Sequence, residues 1–299
     1  MRRYTSKQSH TFRTKRRIRT IILASVSGVA LIASVAFVSW ISKLSFWTIT
    51  NVQVSGIEQE KAPAIREATL VAVNGSYLGL FSRANAFVYP RRSLERTLMQ
   101  SYTEAQRVSI HRSGLHTLII DIEERKPAAL ICTTLPDFNG NELSLDDPGS
   151  CYFADENGLI FKKAPSFSGA VYHRYYIPGL AEKAEASSTQ GIVAEMATTT
   201  DEFRLVQGVY DTLQRNTLVT DALLMKDNGE YEAYVRNPGT SSSTVVVYFN
   251  TITSPATQIS NLISFWKHSV DTARTLKKVP EFESIDVRYG ANVFYRSVK

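Results

Sequence analysis

The side chains best equipped for chemistry in this 299-residue sequence are two cysteines, five histidines and a few clustered carboxylates. Cys132 and Cys151 enclose 18 residues, and each borders a short apolar stretch, 128–132 and 151–154. Outside a reducing compartment such a pair sustains a disulfide, and closing a loop of that length stabilises a fold by roughly 3 kcal/mol. The alternative is two free thiols, one on each strand; the bridge is the favoured reading. Neither cysteine has the flanking His or Asn that a nucleophile needs, so no catalytic thiol is expected. His10, His111, His116, His173 and His268 are scattered. His111 and His116 flank a turn, but no matching carboxylate motif accompanies them, and no metal site is expected. Asp155-Glu156-Asn157-Gly158 looks like a fragment of a calcium loop. It lacks the bidentate Glu at the twelfth position, and a hairpin turn accounts for the same residues. No G-x-S-x-G, H-E-x-x-H or P-loop pattern occurs. The sequence therefore points away from an enzyme and implies no cofactor.

Charge is distributed unevenly. The whole chain carries a formal +6, yet residues 1–19 hold eight basic side chains and no Asp or Glu. The remaining 280 residues carry 26 basic against 28 acidic groups. The high pI belongs to a tail, and nucleic acid is not an expected partner of the body.

After Arg19 the charges stop. Residues 21–41 contain no ionisable side chain, and as a helix they rise about 31 Å, the thickness of a bilayer hydrocarbon core. Trp40, Phe46 and Trp47 follow where amphipathic rings favour the headgroup zone. Arg13, Lys15, Arg16, Arg17 and Arg19 resist translocation, which sets a cytoplasmic tail at 1–19, a transmembrane helix at 20–42 and an extracytoplasmic remainder, a type II single-pass arrangement in the cell membrane with the lipid bilayer as first partner. A cleaved signal peptide ending near Ser34-Val35-Ala36 is the competing reading. The apolar run is longer than a signal h-region and continues through Trp40, which favours an uncleaved anchor.

Past the anchor, hydrophobic period gives the elements. Residues 49–54 alternate and close on Ser55-Gly56, a strand; 62–73 carries Pro63 in its first turn and stops at Asn74-Gly75, a helix. A second helix over 91–99 spaces Leu94 and Leu98 four apart. Strands at 106–110 and 117–123 flank Ser113-Gly114, and Leu118, Ile120 and Ile122 share a face. Strand, helix, helix, strand, strand over 48–124 makes an α+β layer. From Pro127 the pattern changes to short strands at 128–132, 151–154, 159–162, 223–226, 231–236, 244–249, 284–289 and 293–296. Asn157-Gly158 and Asn228-Gly229 predict hairpins with both residues at positive φ. Two helices interrupt the strands. One starts at a capping box of Thr199 and Glu202; the other starts at Ser254-Pro255 and carries the stripe Ile259, Leu262, Ile263 and Trp266. Residues 181–190 and 237–243 read as polar loops. The expectation for 125–299 is a mostly antiparallel β domain with packed helices.

Taken in order, ITNVQVSG at 49–56, a helix ending near Asn74-Gly75, RVSIHR, LIIDIEERKPAA, ADENGLIF and the terminal SIDVRYGANVFYR resemble the FtsQ/DivIB bacterial cell-division proteins over nearly the whole chain. The turn before the third strand departs from that pattern, with Arg112-Ser113-Gly114 in place of Arg-x-x-Pro. The resemblance implies a short cytoplasmic tail, one span, a POTRA domain at 48–124 and a larger β domain at 125–299. It also implies a non-enzymatic scaffold at the division septum, whose POTRA domain supports recruitment. In that family the last strand of the β domain pairs with an extended segment of FtsB or DivIC, itself linked to FtsL. Carried over by position, the partner-binding residues are Asp286, Val287, Arg288, Tyr289, Phe294 and Tyr295. Such pairing is strand addition, in which unpaired backbone groups on a sheet edge bond a foreign backbone. A POTRA-bearing secretion or transport component is the alternative, and an anchored cell-wall hydrolase or transferase comes third.

Overall fold

The computed structural model describes residues 9–133, 151–165, 171–186, 191–226, 228–237, 243–276 and 281–298. It is a mixed α+β protein whose chain divides into two compact units, Met1–Glu124 and Arg125–Lys299.

The first unit begins with helix α1, Ser9–Ser42, so the helix reaches back into the basic tail instead of starting at residue 20. Its stretch Ile18–Ser42 is long and apolar enough to cross a bilayer. Strand β1 (Asn51–Ser55) and helix α2 (Ala62–Val73) follow. Pro63 occupies the first turn of α2, and Ile65, Thr69 and Val73, each four apart, turn inward. A small hairpin, β2 (Ser76–Tyr77) and β3 (Phe81–Ser82), leads to helix α3 (Arg91–Ser101), which buries Leu94 and Leu98. Strands β4 (Ala105–Ser113) and β5 (Thr117–Glu124) close the unit. The sheet order is β1-β5-β4, with β1 parallel and β4 antiparallel to β5. The alternation of β5 buries Leu118, Ile120 and Ile122 against the helices' apolar stripes. Burial of each such side chain contributes about 1.5–3 kcal/mol.

The second unit is one nine-stranded sheet, order β14-β13-β12-β11-β10-β9-β6-β7-β8. Its strands are β6 (Ala129–Cys132), β7 (Cys151–Ala154), β8 (Ile160–Lys163), β9 (His173–Tyr176), β10 (Thr220–Met225), β11 (Glu230–Arg236), β12 (Thr244–Asn250), β13 (Phe282–Asp286) and β14 (Phe294–Ser297). Most neighbours are antiparallel. The parallel pairs are β6 with β9, β9 with β10, and β12 with β13. The last two flank the crossovers that carry helices α4 (Gly179–Ala186) and α5 (Thr200–Arg215), and α6 (Pro255–Leu276). A parallel neighbour requires such a crossover. Phe203, Val206, Tyr210 and Leu213 of α5 join Leu262 and Trp266 of α6 over the sheet's main apolar core, with Ile259 and Ile263 packed at its border. A smaller cluster lies apart from it around Leu130, Cys132, Tyr176, Ala222, Leu224 and Tyr234. Cys132 and Cys151 face each other across β6 and β7 and are joined by a disulfide.

Several local expectations are corrected. Residues 181–186, read as loop, continue α4; Ala, Glu and Lys are good helix formers, and Leu180 anchors the helix in the core. Residues 187–190 and 238–242 lie outside the described residues. Only the glycine of each Asn-Gly pair has positive φ, +84° at Gly158 and +73° at Gly229. The loop at 156–158 holds three residues: Asp155 N–H donates to the Leu159 carbonyl at 3.0 Å, and Gly158 N–H to the Asp155 carbonyl at 3.0 Å. Such a loop needs one left-handed residue, not two. At α5 the Thr199 hydroxyl accepts the Glu202 N–H at 3.4 Å. The Glu202 carboxylate does not reach back; it accepts the Tyr231 hydroxyl at 2.5 Å and the Thr198 hydroxyl. A buried phenol needs an acceptor, and it claims the carboxylate that a capping box would use.

Candidate docking edge of the large sheet

A nine-stranded sheet has two borders, and they differ. At β8, Ile160 N–H donates to the Glu195 carbonyl at 2.9 Å and its own carbonyl accepts Ala194 N–H at 2.7 Å. Leu159 bridges to Met196 as well. The segment 191–197 thus covers the start of that edge. At the other border β14 pairs with β13 alone, and its four residues are all exposed.

Backbone alternation shows which groups of β14 are unspent. Val287 N–H donates to the Tyr248 carbonyl at 3.1 Å, toward β12. Backbone groups alternate sides along a strand, so Ile285 also turns to β12, while Ser284 and Asp286 turn to β14. Their partners in the ladder are Arg296 and Phe294. The N–H and C=O of Tyr295, opposite Ile285, therefore point outward, and no described residue pairs with them.

Both faces of this border are aromatic. On the helix side, the Tyr295 ring lies 5.2 Å from Phe265 of α6 and 5.6 Å from Phe282. On the opposite side, Phe294 meets Tyr289 edge-on at 5.6 Å. Phe294 also ends a cross-strand row, Leu224-Glu232-Tyr248-Asp286-Phe294, that runs from β10 to the border. Arg288 organises that row. Its guanidinium donates to Asp286 (2.6 and 2.9 Å) and Glu230 (2.6 Å), and lies 5.3 Å from the Tyr248 ring and 5.7 Å from the Tyr289 ring. The Asp286 and Glu230 contacts push the guanidinium above its ordinary pKa, against burial. Glu232 pairs with Lys226 and accepts the Tyr234 hydroxyl at 3.0 Å. Burial raises the Tyr234 and Tyr248 phenols, and the Glu232 charge raises them further. The surface beside the free edge is thus aromatic and charged, with its ions already paired.

The residues predicted for partner contact fall into three groups. Tyr289, Phe294 and Tyr295 are exposed at the border. Asp286 and Arg288 are committed to each other beside it. Val287 is 1% exposed and belongs to the apolar core, so its side chain takes no part in a docking surface. Sequence reasoning missed Glu230, Glu232, Tyr234 and Tyr248; they lie on other strands, where register brings Glu232 and Tyr248 into the row and Glu230 and Tyr234 flank Glu232 two residues away on β11. In the tail, Arg19 is exposed on α1, while the side chains of Arg13, Lys15, Arg16 and Arg17 lie outside the described residues.

The other candidates are occupied structurally. Asp155 Oδ1 accepts the N–H groups of Asn157 (2.9 Å) and Leu159 (3.1 Å), and its Oδ2 meets Arg125 at 2.5 Å. His111 pairs with Asp121 at 3.2 Å and His116 with the Thr48 carbonyl at 2.9 Å, so the two rings have separate partners. Against the expectation that no S-x-x-K pattern occurs, one such spacing runs from Ser264 to Lys267 on α6; the Ser264 hydroxyl donates to the Ser260 carbonyl at 2.9 Å. No group of three potential metal ligands occurs among the described residues.

No protein-family model matches the chain, and no curated protein matches it closely.

Proposed function

We propose that this chain is a divergent FtsQ/DivIB-type division protein, a non-enzymatic scaffold anchored by α1 that links septal cell-wall synthesis proteins. On this reading the polypeptide beyond α1 is extracytoplasmic, and a bitopic partner of the FtsB/DivIC kind, held in turn to an FtsL-like protein, adds a strand to β14. One observation carries the reading: β14 is a sheet border whose Tyr295 backbone groups face outward, flanked by exposed Tyr289 and Phe294. Strand addition needs an unpaired ladder for affinity and side chains on alternate faces for selectivity. The first unit supports the reading too. Its β1, α2, α3, β4, β5 order and its β1-β5-β4 sheet suit a POTRA-like domain.

A fluorescent fusion of the full chain, produced in its native host, tests the proposal. Expected are midcell bands, filamentous cells on depletion, and recovery of a bitopic partner with the wild-type chain but not with Tyr295→Pro. Even peripheral fluorescence with normal division on depletion overturns it.

A further inference from the structure

The hairpin β2–β3 has a composition that the folded first unit does not explain. Its two-residue turn is closed by Leu80 N–H donating to the Tyr77 carbonyl at 2.9 Å. Leu78 and Gly79 form the turn, with φ of +52° and +73°. Turns of this type select Asn or Gly at the first position, because a side chain in the left-handed region is strained. Here the position holds leucine, and that leucine is 95% exposed. Neither turn preference nor packing inside the chain accounts for it.

What lies beside the hairpin does. Asn85 Nδ2 donates to the Ser42 carbonyl at 3.2 Å, and Ser82 N–H donates to Ser42 Oγ at 3.0 Å. Two residues nearer the tip, the Leu80 carbonyl accepts the Ser39 hydroxyl at 2.5 Å. Passing from Ser82 to Leu80 thus passes from Ser42 back to Ser39. The hairpin runs down the last turn of α1, toward the centre of the apolar stretch Ile18–Ser42. The Gly79 carbonyl accepts Lys43 Nζ at 3.2 Å. A non-helical carbonyl survives at lipid depth only when it has a partner, and here α1 and its flank supply partners to the carbonyls of Gly79 and Leu80. Around the base, Arg83 lies 5.1 Å from the Tyr77 ring, and exposed Phe46 and Phe87 both pack on Trp47. Aromatic rings with long basic side chains are the residues that settle at headgroup level.

We infer that the β2–β3 hairpin is a second lipid contact, inserting Leu78 and Leu80 into the leaflet from which α1 emerges. The inference rests on α1 being an uncleaved span; it is independent of the division role. Its effect is to fix the first unit's orientation on the bilayer, since one helix alone leaves rotation free. The polar segments at the other end of β1, around Gln59 and Thr103, then face away from the membrane.

The test uses the full chain in phosphatidylcholine–phosphatidylglycerol vesicles. Single cysteines at Leu78→Cys and, separately, Leu80→Cys carry an environment-sensitive dye, with Gln59→Cys as the aqueous control; Cys132 and Cys151 stay protected in their disulfide. Expected is blue-shifted emission at both hairpin sites, strongly quenched by lipid spin-labelled near the headgroup and little affected by aqueous iodide. The Gln59 site shows the reverse. Iodide quenching at Leu78 and Leu80 equal to that at Gln59, in protein that resists carbonate extraction, overturns the inference and leaves the anchor standing. Release by carbonate removes the anchor and the inference with it.

Discussion

Tyr295 stands directly opposite Ile285 in the β13–β14 ladder, yet Ile285 is 0% exposed and Tyr295 59%. Both belong to one transverse row, Leu223-Ala233-Val247-Ile285-Tyr295, that is core up to its final member. The sheet ends there with an apolar side chain and an outward backbone, the condition in which a further strand adds without rearrangement.

Tyr295→Pro is therefore expected to separate docking from folding. The ring of proline removes an N–H that points away from β13, so no ladder bond within the chain is lost. Binding of the proposed strand-donating partner should fall by about tenfold or more, in keeping with about 1 kcal/mol per backbone hydrogen bond plus the clash of the ring. Calorimetric titration with the partner segment checks the loss, and thermal unfolding checks that the fold survives. Full binding by the proline variant removes β14 as the docking strand.

Arg288→Ala addresses the row beside the edge. It leaves Asp286 and Glu230 without their shared cation and uncovers the Tyr248 ring. A cost of about 1–3 kcal/mol is expected from the unpaired, partly buried carboxylates. Arg288→Lys keeps the charge without the two-pronged geometry and should recover only part of it. Denaturant unfolding of both variants measures the difference; an alanine variant as stable as wild type would show the pairings to be idle.

Much of the fold was legible because period and punctuation agreed with tertiary packing. The alternation of residues 117–123 became β5, Pro63 and Asn74 bracketed α2, and Thr199 did cap α5. Strand β9 was not legible: His173-Arg174-Tyr175-Tyr176 alternates neither in polarity nor in burial. It lies between two parallel neighbours, buried on both faces, where no period-2 signal is required. The border residues were legible only through resemblance, and Val287 shows the limit of that. Its position suits a docking strand, while its side chain belongs to the core. The row of Glu232, Tyr248 and Asp286 could not be read at all, because register joins residues far apart in sequence.

Two glycines with nearly the same φ should respond differently to alanine. Gly56 (+84°) closes β1, where a Cβ would stand 1.9 Å from the Ile122 carbonyl oxygen. Gly114 (+69°) turns between β4 and β5 with open space around it. Gly114→Ala is expected to cost about 1 kcal/mol through left-handed strain alone. Gly56→Ala must also displace β5 backbone and should exceed about 4 kcal/mol. Hydrogen exchange in β5 reads out both.

The disulfide gives a prediction confined to the second unit. Reduction, or Cys132→Ala with Cys151→Ala, releases a loop of 18 residues in the unfolded chain and should lower stability by about 3 kcal/mol. Exchange protection in β6 and β7 should drop while that of β4 and β5 is unchanged. Equal stability of oxidised and reduced protein rejects the estimate.

His173 supplies the pH dependence. Its ring stacks on Tyr210 with centroids 3.9 Å apart, and Asp211 lies 3.6 Å from Nδ1. Burial lowers the imidazole pKa and the Asp211 charge raises it, with burial the larger effect. The unfolded imidazole titrates near about 6.5, so the unfolded chain takes up its proton first as pH falls. Stability from the neutral, stacked ring is present in full above that value and is lost as pH drops through it toward the lower folded pKa. His173→Gln cannot titrate and gives up the stack at every pH. The wild-type chain should then lose more stability than the variant between pH 7 and pH 5, with the two denaturation midpoints converging at the acid end. A constant offset across that range shows the imidazole to be free of the burial penalty, and the packing of β9 on α5 would need to be looser than its ring contacts state.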